Sequence, residues 1–166
     1  MANKTIGQLD AASNSSAIGA YFEIESSGLS KKLLLVESST FTPYVAFGGG
    51  TTGITYSAQH GNYTIIGNRL FFDIRIILTS KGTSTGSITI KGLPYNTKND
   101  STYRVSPSVG YMDAVKYTGT VLSWMTYNST QINIVQMTEA GATTALTHAN
   151  CTAGSFINIS GNYDIA

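Results

Sequence analysis

Between Gly53 and Pro94 apolar residues fall on every second position, over a longer span than anywhere else in the chain, and turn residues punctuate the run. Period-two alternation sends successive side chains to opposite faces of an extended strand, so the stretch reads as three or four antiparallel strands. Leu70, Phe72, Ile74, Ile76 and Leu78 share one face, while Phe71, Asp73, Arg75, Ile77 and Thr79 share the other. The first face is apolar throughout and has to be covered. The second is mixed and is expected to meet water or a partner subunit, with Asp73 and Arg75 forming a structural ion pair. Ahead of this strand lies a shorter β-branched run, Tyr63 to Ile66, joined to it by Gly67-Asn68, a dipeptide suited to positive φ and hence to a tight hairpin. Ser80 to Gly86 is small, polar and turn-like, and Ser87 to Lys91 alternates again.

The remaining segments repeat the pattern. Ala20 to Glu25 and Ser30 to Glu37 read as two short strands around Ser26-Ser27-Gly28. An isolated hairpin of that size is marginal in water and must pack on its own domain or on a neighbour. Tyr44, Val45 and Phe47 run into Gly48-Gly49-Gly50, a loop with no Gly-Lys-Ser/Thr behind it and therefore no phosphate cradle. Pro107 marks the edge or end of a strand. From Asp113 to Tyr127 the alternation changes parity near Val121-Leu122, which implies two strands or a bulge. Thr130 to Met137 alternates cleanly, and Phe156, Ile157 and Ile159 open a last strand before Tyr163. Helical periodicity is missing over any ten residues, and helix is expected for at most a turn or two, near Asn14 or Ala145. The expected fold is all-β, an antiparallel jelly-roll-like β-sandwich of roughly nine to eleven strands with an N-terminal β-hairpin arm, at the turn spacing of about 8 to 12 residues typical of sandwiches. The arm covers residues 1–40 and the β-sandwich head domain covers 41–166.

Composition narrows the function. Charged residues make up 11% of the chain, against about 25% in ordinary soluble domains, and hydroxyl, amide and tyrosine side chains take their place. Such a surface resembles interface material. A net charge of +1 without a basic run gives no footprint for nucleic acid. The single cysteine, Cys151, has no intrachain partner, and His60 and His148 lie too far apart for metal-ligand spacing, so neither a structural metal nor a cofactor is expected. Apolar runs stop short of the roughly 20 residues of a membrane helix, and Lys4 is followed by no apolar stretch of a secretory signal.

Catalysis is not expected. Glycan hydrolysis needs two carboxylates held about 5 to 9.5 Å apart, and only Asp73 sits within a strongly patterned strand. A Gly-x-Ser-x-Gly elbow is missing, and neither histidine has an acidic neighbour in sequence. Sugar binding without chemistry is open to Trp124, Tyr127 and Asn128, because aromatic faces stack on pyranose C–H faces while amides bond the hydroxyls. The weightier alternative for Trp124 is a space-filling role between the sheets.

Two blocks of the sequence resemble bacteriophage tail-fibre and tailspike proteins. TIGQLDAAS followed by YFEIESSGLSKKL is similar to the N-terminal segments of phage fibres, with Asp10 where proline is frequent. YTIIGNRLFFDIRIILTSKGTSTGSITIKGLP together with ALTHANCTAGSFINISGNY is similar to the C-terminal β-domain of fibres and tailspikes, with Cys151 where an aromatic and His148 where an acidic residue is usual. The resemblance implies a virion protein assembled in the bacterial cytoplasm and displayed as a homotrimer. Its N-terminal segment would fasten to another virion protein, and Tyr21, Phe22, Ile24, Leu33 and Leu35 are the candidate attachment residues. Its head would recognise a host-surface glycan. Without a shaft between arm and head, a capsid decoration protein is the first alternative and a glycan depolymerase the second.

Overall fold

The computed structural model describes residues 21–26, 29–34 and 36–166. Within them the chain is all-β, with a single 3-10 turn at His148–Asn150. The first two strands, β1 (Tyr21–Ser26) and β2 (Leu29–Leu34), pair antiparallel in a two-stranded sheet of their own, Phe22 opposite Leu33 and Ile24 opposite Lys31. This is the expected N-terminal hairpin. Of the attachment candidates, Tyr21, Phe22, Ile24 and Leu33 fall on these strands, and Leu35 lies outside the described residues.

The sandwich consists of two antiparallel sheets. The first is ordered β3-β5-β6-β13-β9, from β3 (Val36–Phe41), β5 (Ile54–Ile66), β6 (Arg69–Lys81), β13 (Cys151–Asp164) and β9 (Ser108–Val115). The second runs β4-β7-β11-β10-β8, from β4 (Tyr44–Phe47), β7 (Ile88–Lys91), β11 (Ile132–Met137), β10 (Thr120–Thr126) and β8 (Arg104–Val105), with β12 (Thr143–Ala145) added alongside β11. The chain passes repeatedly from one sheet to the other, as a jelly-roll-like sandwich requires. The described residues hold more strands than the sequence pattern suggests because β8 and β12 are too short to show periodicity. β5 is also longer than the run Tyr63 to Ile66 implied. Register shifts between Thr55 and Ala58 break the alternation of its first half.

The central strand β6 behaves as its pattern dictates. Leu70, Phe72, Ile74, Ile76 and Leu78 are all buried, and they face Ile88, Ile90, Ile132, Ile134 and Met125 of the opposite sheet in one continuous core. Burying a side chain of this size contributes about 1.5–3 kcal/mol, so this one face supplies much of the drive to close the sandwich. Gly67, at φ +62°, turns β5 into β6 with Ile66 opposite Arg69, the two-residue connection that Gly67-Asn68 predicted. Tyr56 ties the sheets together at one end, its hydroxyl accepting a hydrogen bond of 3.0 Å from the Val45 amide. At the other end Tyr163 of β13 donates to the Tyr95 carbonyl at 2.7 Å, holding the segment that follows β7.

The parity change near Val121-Leu122 resolves as two strands. β9 and β10 belong to different sheets and are separated by a turn through Gly119. One expectation fails. Asp73 and Arg75 share the outer face but form no ion pair; among the described residues the salt bridges are Arg69–Asp164 and Lys98–Asp100. The Arg75 guanidinium reaches diagonally across to β13 instead, where it stands 5.2 Å from the centroid of Phe156. Stacking on a ring lets the cation keep most of its hydration, which an exposed pair with Asp73 would repay poorly.

Candidate functional site

The lone tryptophan stands on β10, where sequence parity decides its fate. Ser123 and Met125 take the inward positions and are buried, which forces Leu122 and Trp124 outward. Trp124 is 39% exposed, so the space-filling role between the sheets is overturned. Ser123 holds the inward position without cost because its hydroxyl donates to the Pro107 carbonyl at 2.5 Å, satisfying a buried polar group. That bond also fastens β10 to the link between β8 and β9. On the outer face Leu122 lies opposite Val135 and Trp124 opposite Asn133.

The result is a groove of about 540 Å³ where the second sheet meets the edge strand of the first. Leu122, Trp124, Val109 and Val135 supply its apolar surface, and Ser106, Ser108 and Thr143 supply hydroxyls. An aromatic plane beside a few polar groups in a concavity of a few hundred Å³ is the usual construction of a small-molecule or saccharide site. No carboxylate lines it.

The other two sugar-binding candidates lie beyond this groove. Tyr127 and Asn128 follow the end of β10 and are exposed. Tyr127 carries the Arg104 guanidinium 5.7 Å from its ring centroid. Asn128 adopts φ +47°, and its side-chain oxygen accepts from the Asn96 amide nitrogen at 3.0 Å, a tie between two loops. The structure therefore separates the cluster that WMTYN suggested into a groove residue and two turn residues. Val109 and Val135, which sequence reasoning left unassigned, complete the groove from other strands.

His148 and Cys151 are structural. The His148 ring accepts at Nδ1 from the Gly86 amide (3.0 Å) and meets Phe47 edge-on. Cys151 is buried, and that burial pushes its thiol up to about 11. Among the described residues no three His, Cys, Asp or Glu side chains gather as metal ligands would, and no helix is long and apolar enough to cross a membrane.

No family model matches the sequence, and no curated protein sequence matches it. Among solved structures, the chain is similar to the Dettilon tailspike protein (gp208), with a TM-score of 0.63 at 17% identity, over 79% of this chain. The match spans 24% of the tailspike's own length. At that identity the likeness is one of fold: this β-sandwich has the architecture of part of a phage tailspike.

Proposed function

We propose that this chain is a phage tail-appendage protein that attaches to a host-surface glycan and carries out no reaction on it. The exposed Trp124 above a hydroxyl-lined groove carries the reading, since a ring left in water at a concavity earns its place by what it contacts. The tailspike-like fold and the fibre-like sequence blocks support the setting. The groove offers stacking and hydrogen bonds but no pair of carboxylates, which favours binding over hydrolysis.

The protein works as a homotrimer in this reading. Ile66 and Phe71, 54% and 41% exposed on the outer face of the first sheet, form an apolar corner at the end where the chain enters from the hairpin, and the self-contact is assigned there. Weak sites joined in one particle gain avidity through effective concentration. The virion-attachment arm is taken to end before β3, because β3 pairs along its length with β5.

The test has two parts. Trp124 is the only tryptophan, so its emission, titrated with purified host-envelope polysaccharide, should shift and be protected from acrylamide, and Trp124→Ala should abolish binding without shortening the polysaccharide. Antibody labelling of purified particles should find a few copies at the tail. Labelling over the head would move the protein to capsid decoration, chain shortening would make it a depolymerase, and a monomer on sedimentation of the full chain at micromolar concentration would remove the trimer.

A further inference from the structure

The outer face of the first sheet carries a second concavity, assembled by cross-strand register. One row of the ladder reads His60, Arg75, Asn158, Tyr111, each residue directly opposite the next on β5, β6, β13 and β9. The adjacent row reads Asn62, Asp73, Ser160. Together they line a groove of about 640 Å³, within the range that holds small ligands. It lies on the opposite sheet from Trp124 and shares no lining residue with the groove there.

Two groups in the first row are open to a ligand. The side-chain oxygen of Asn158 is buried and accepts no hydrogen bond, alone in this respect among the buried side-chain polar atoms of the described residues. Native proteins rarely leave a buried acceptor unmatched, so this position calls for a hydrogen-bond donor. Beside it, the exposed Arg75 guanidinium has no carboxylate partner among the described residues, so it can receive an anion. The Arg75 side chain is held in place. The Phe156 ring supports the Arg75 guanidinium at 5.2 Å and meets Tyr111 edge-on at 5.0 Å, leaving Tyr111 half exposed beside the groove. A first row fixed by packing behind it is how binding sites are pre-organised.

A hydroxyl for Asn158, a carboxylate for Arg75 and a ring face for Tyr111 belong together in one chemical class. We propose that this groove is a saccharide subsite for a carboxylate-bearing sugar, a uronic-acid unit of a polysaccharide. Asp73, one row away, accepts further hydroxyls and repels a second negative charge, so the site takes spaced carboxylates and rejects dense phosphate. The assignment stands on these residues alone and holds whether or not the Trp124 groove binds glycan.

The test is calorimetric titration of the full chain with trigalacturonic acid and with its methyl ester, which keeps the hydroxyls and removes the charge. The acid should bind at least tenfold tighter than the ester. Arg75→Gln should erase that difference, and Trp124→Ala should leave it intact. Asn158→Ala should melt at or above the wild-type temperature, having lost an unmatched acceptor, yet bind the acid several-fold more weakly. That combination excludes misfolding as the cause, and Tyr111→Ala on the exposed edge strand provides a second such check. Equal affinity for acid and ester, no heat with either, or full binding by Arg75→Gln overturns the proposal. Failure of the Trp124 reading would register separately, in tryptophan emission.

Discussion

Replacing Tyr63 by phenylalanine isolates one hydrogen bond at the point where the first strand of the sandwich joins the sheet. The Tyr63 hydroxyl donates to Glu37 on β3 at 2.7 Å, and Tyr95 donates to the same oxygen at 3.3 Å. Tyr63 is 9% exposed and packs against Phe41 and Tyr95, contacts that phenylalanine keeps. A hydrogen bond to a charged acceptor contributes about 1.5–3 kcal/mol. Glu37 is only half buried and retains Tyr95, so the lower figure applies and Tyr63→Phe should cost ~1.5 kcal/mol at pH 7.5. The cost should depend on pH. Burial, and then the Glu37 carboxylate, push the Tyr63 hydroxyl up to about 12, whereas an unfolded tyrosine ionises near ~10. The native pKa is the higher one, so the contribution is complete below pH ~10 and disappears as pH rises through 12, because the unfolded chain loses its proton first. Urea unfolding followed by circular dichroism at pH 7.5 and pH 11 measures both limbs. The wild-type advantage should shrink at pH 11 to well under half its neutral value. Tyr56 and Tyr163, also raised by burial, titrate in both proteins and cancel. An unchanged gap at the two pH values, or no gap at pH 7.5, would refute the reasoning.

Two further outcomes follow from the backbone and the core. Gly82 sits at φ +64° with the space for a Cβ already occupied by the Thr52 carbonyl, whereas Gly67 at φ +62° has nothing within 4 Å. Thermal melts should therefore show Gly82→Ala losing several kcal/mol and Gly67→Ala only about 1 kcal/mol, the strain of positive φ alone. Cys151 should resist a thiol-reactive disulfide reagent at pH 8 in the native protein and react within minutes in urea, since burial both hides its sulfur and disfavours the thiolate.

What could be read from the sequence depended on whether its cause was local. β6 was legible to the residue, because five apolar side chains at period two admit one inward face. So was the Gly67-Asn68 turn, where backbone chemistry is set within two residues. Trp124 admits two readings from sequence because size and hydrophobicity argue for the core, while its orientation is fixed by neighbours. Ser123 can point inward only through its bond to Pro107, sixteen positions away. Arg75 escaped Asp73 for a similar reason, since its ring partner Phe156 is adjacent only through the pairing of β6 with β13. The outer groove could not be read at all, as its residues come from four strands spread between His60 and Ser160. The one available clue was the polar parity of β6, which set Asp73 and Arg75 on a face that needed an explanation.

The position of β13 imposes an order on biosynthesis. It lies between β6 and β9, so an interior strand of that sheet is furnished by residues 151–164. At about 5–20 residues per second, a translating ribosome needs several seconds after making Lys81 to deliver Cys151. Throughout that interval Leu70 to Leu78 form a sticky surface with one ladder edge unpaired, exposed to other nascent chains. Pairing Arg69 with Asp164 then closes a very long loop, a topology that matures slowly. Expression yield should respond to chaperone supply and translation speed more than to any single contact in the finished molecule.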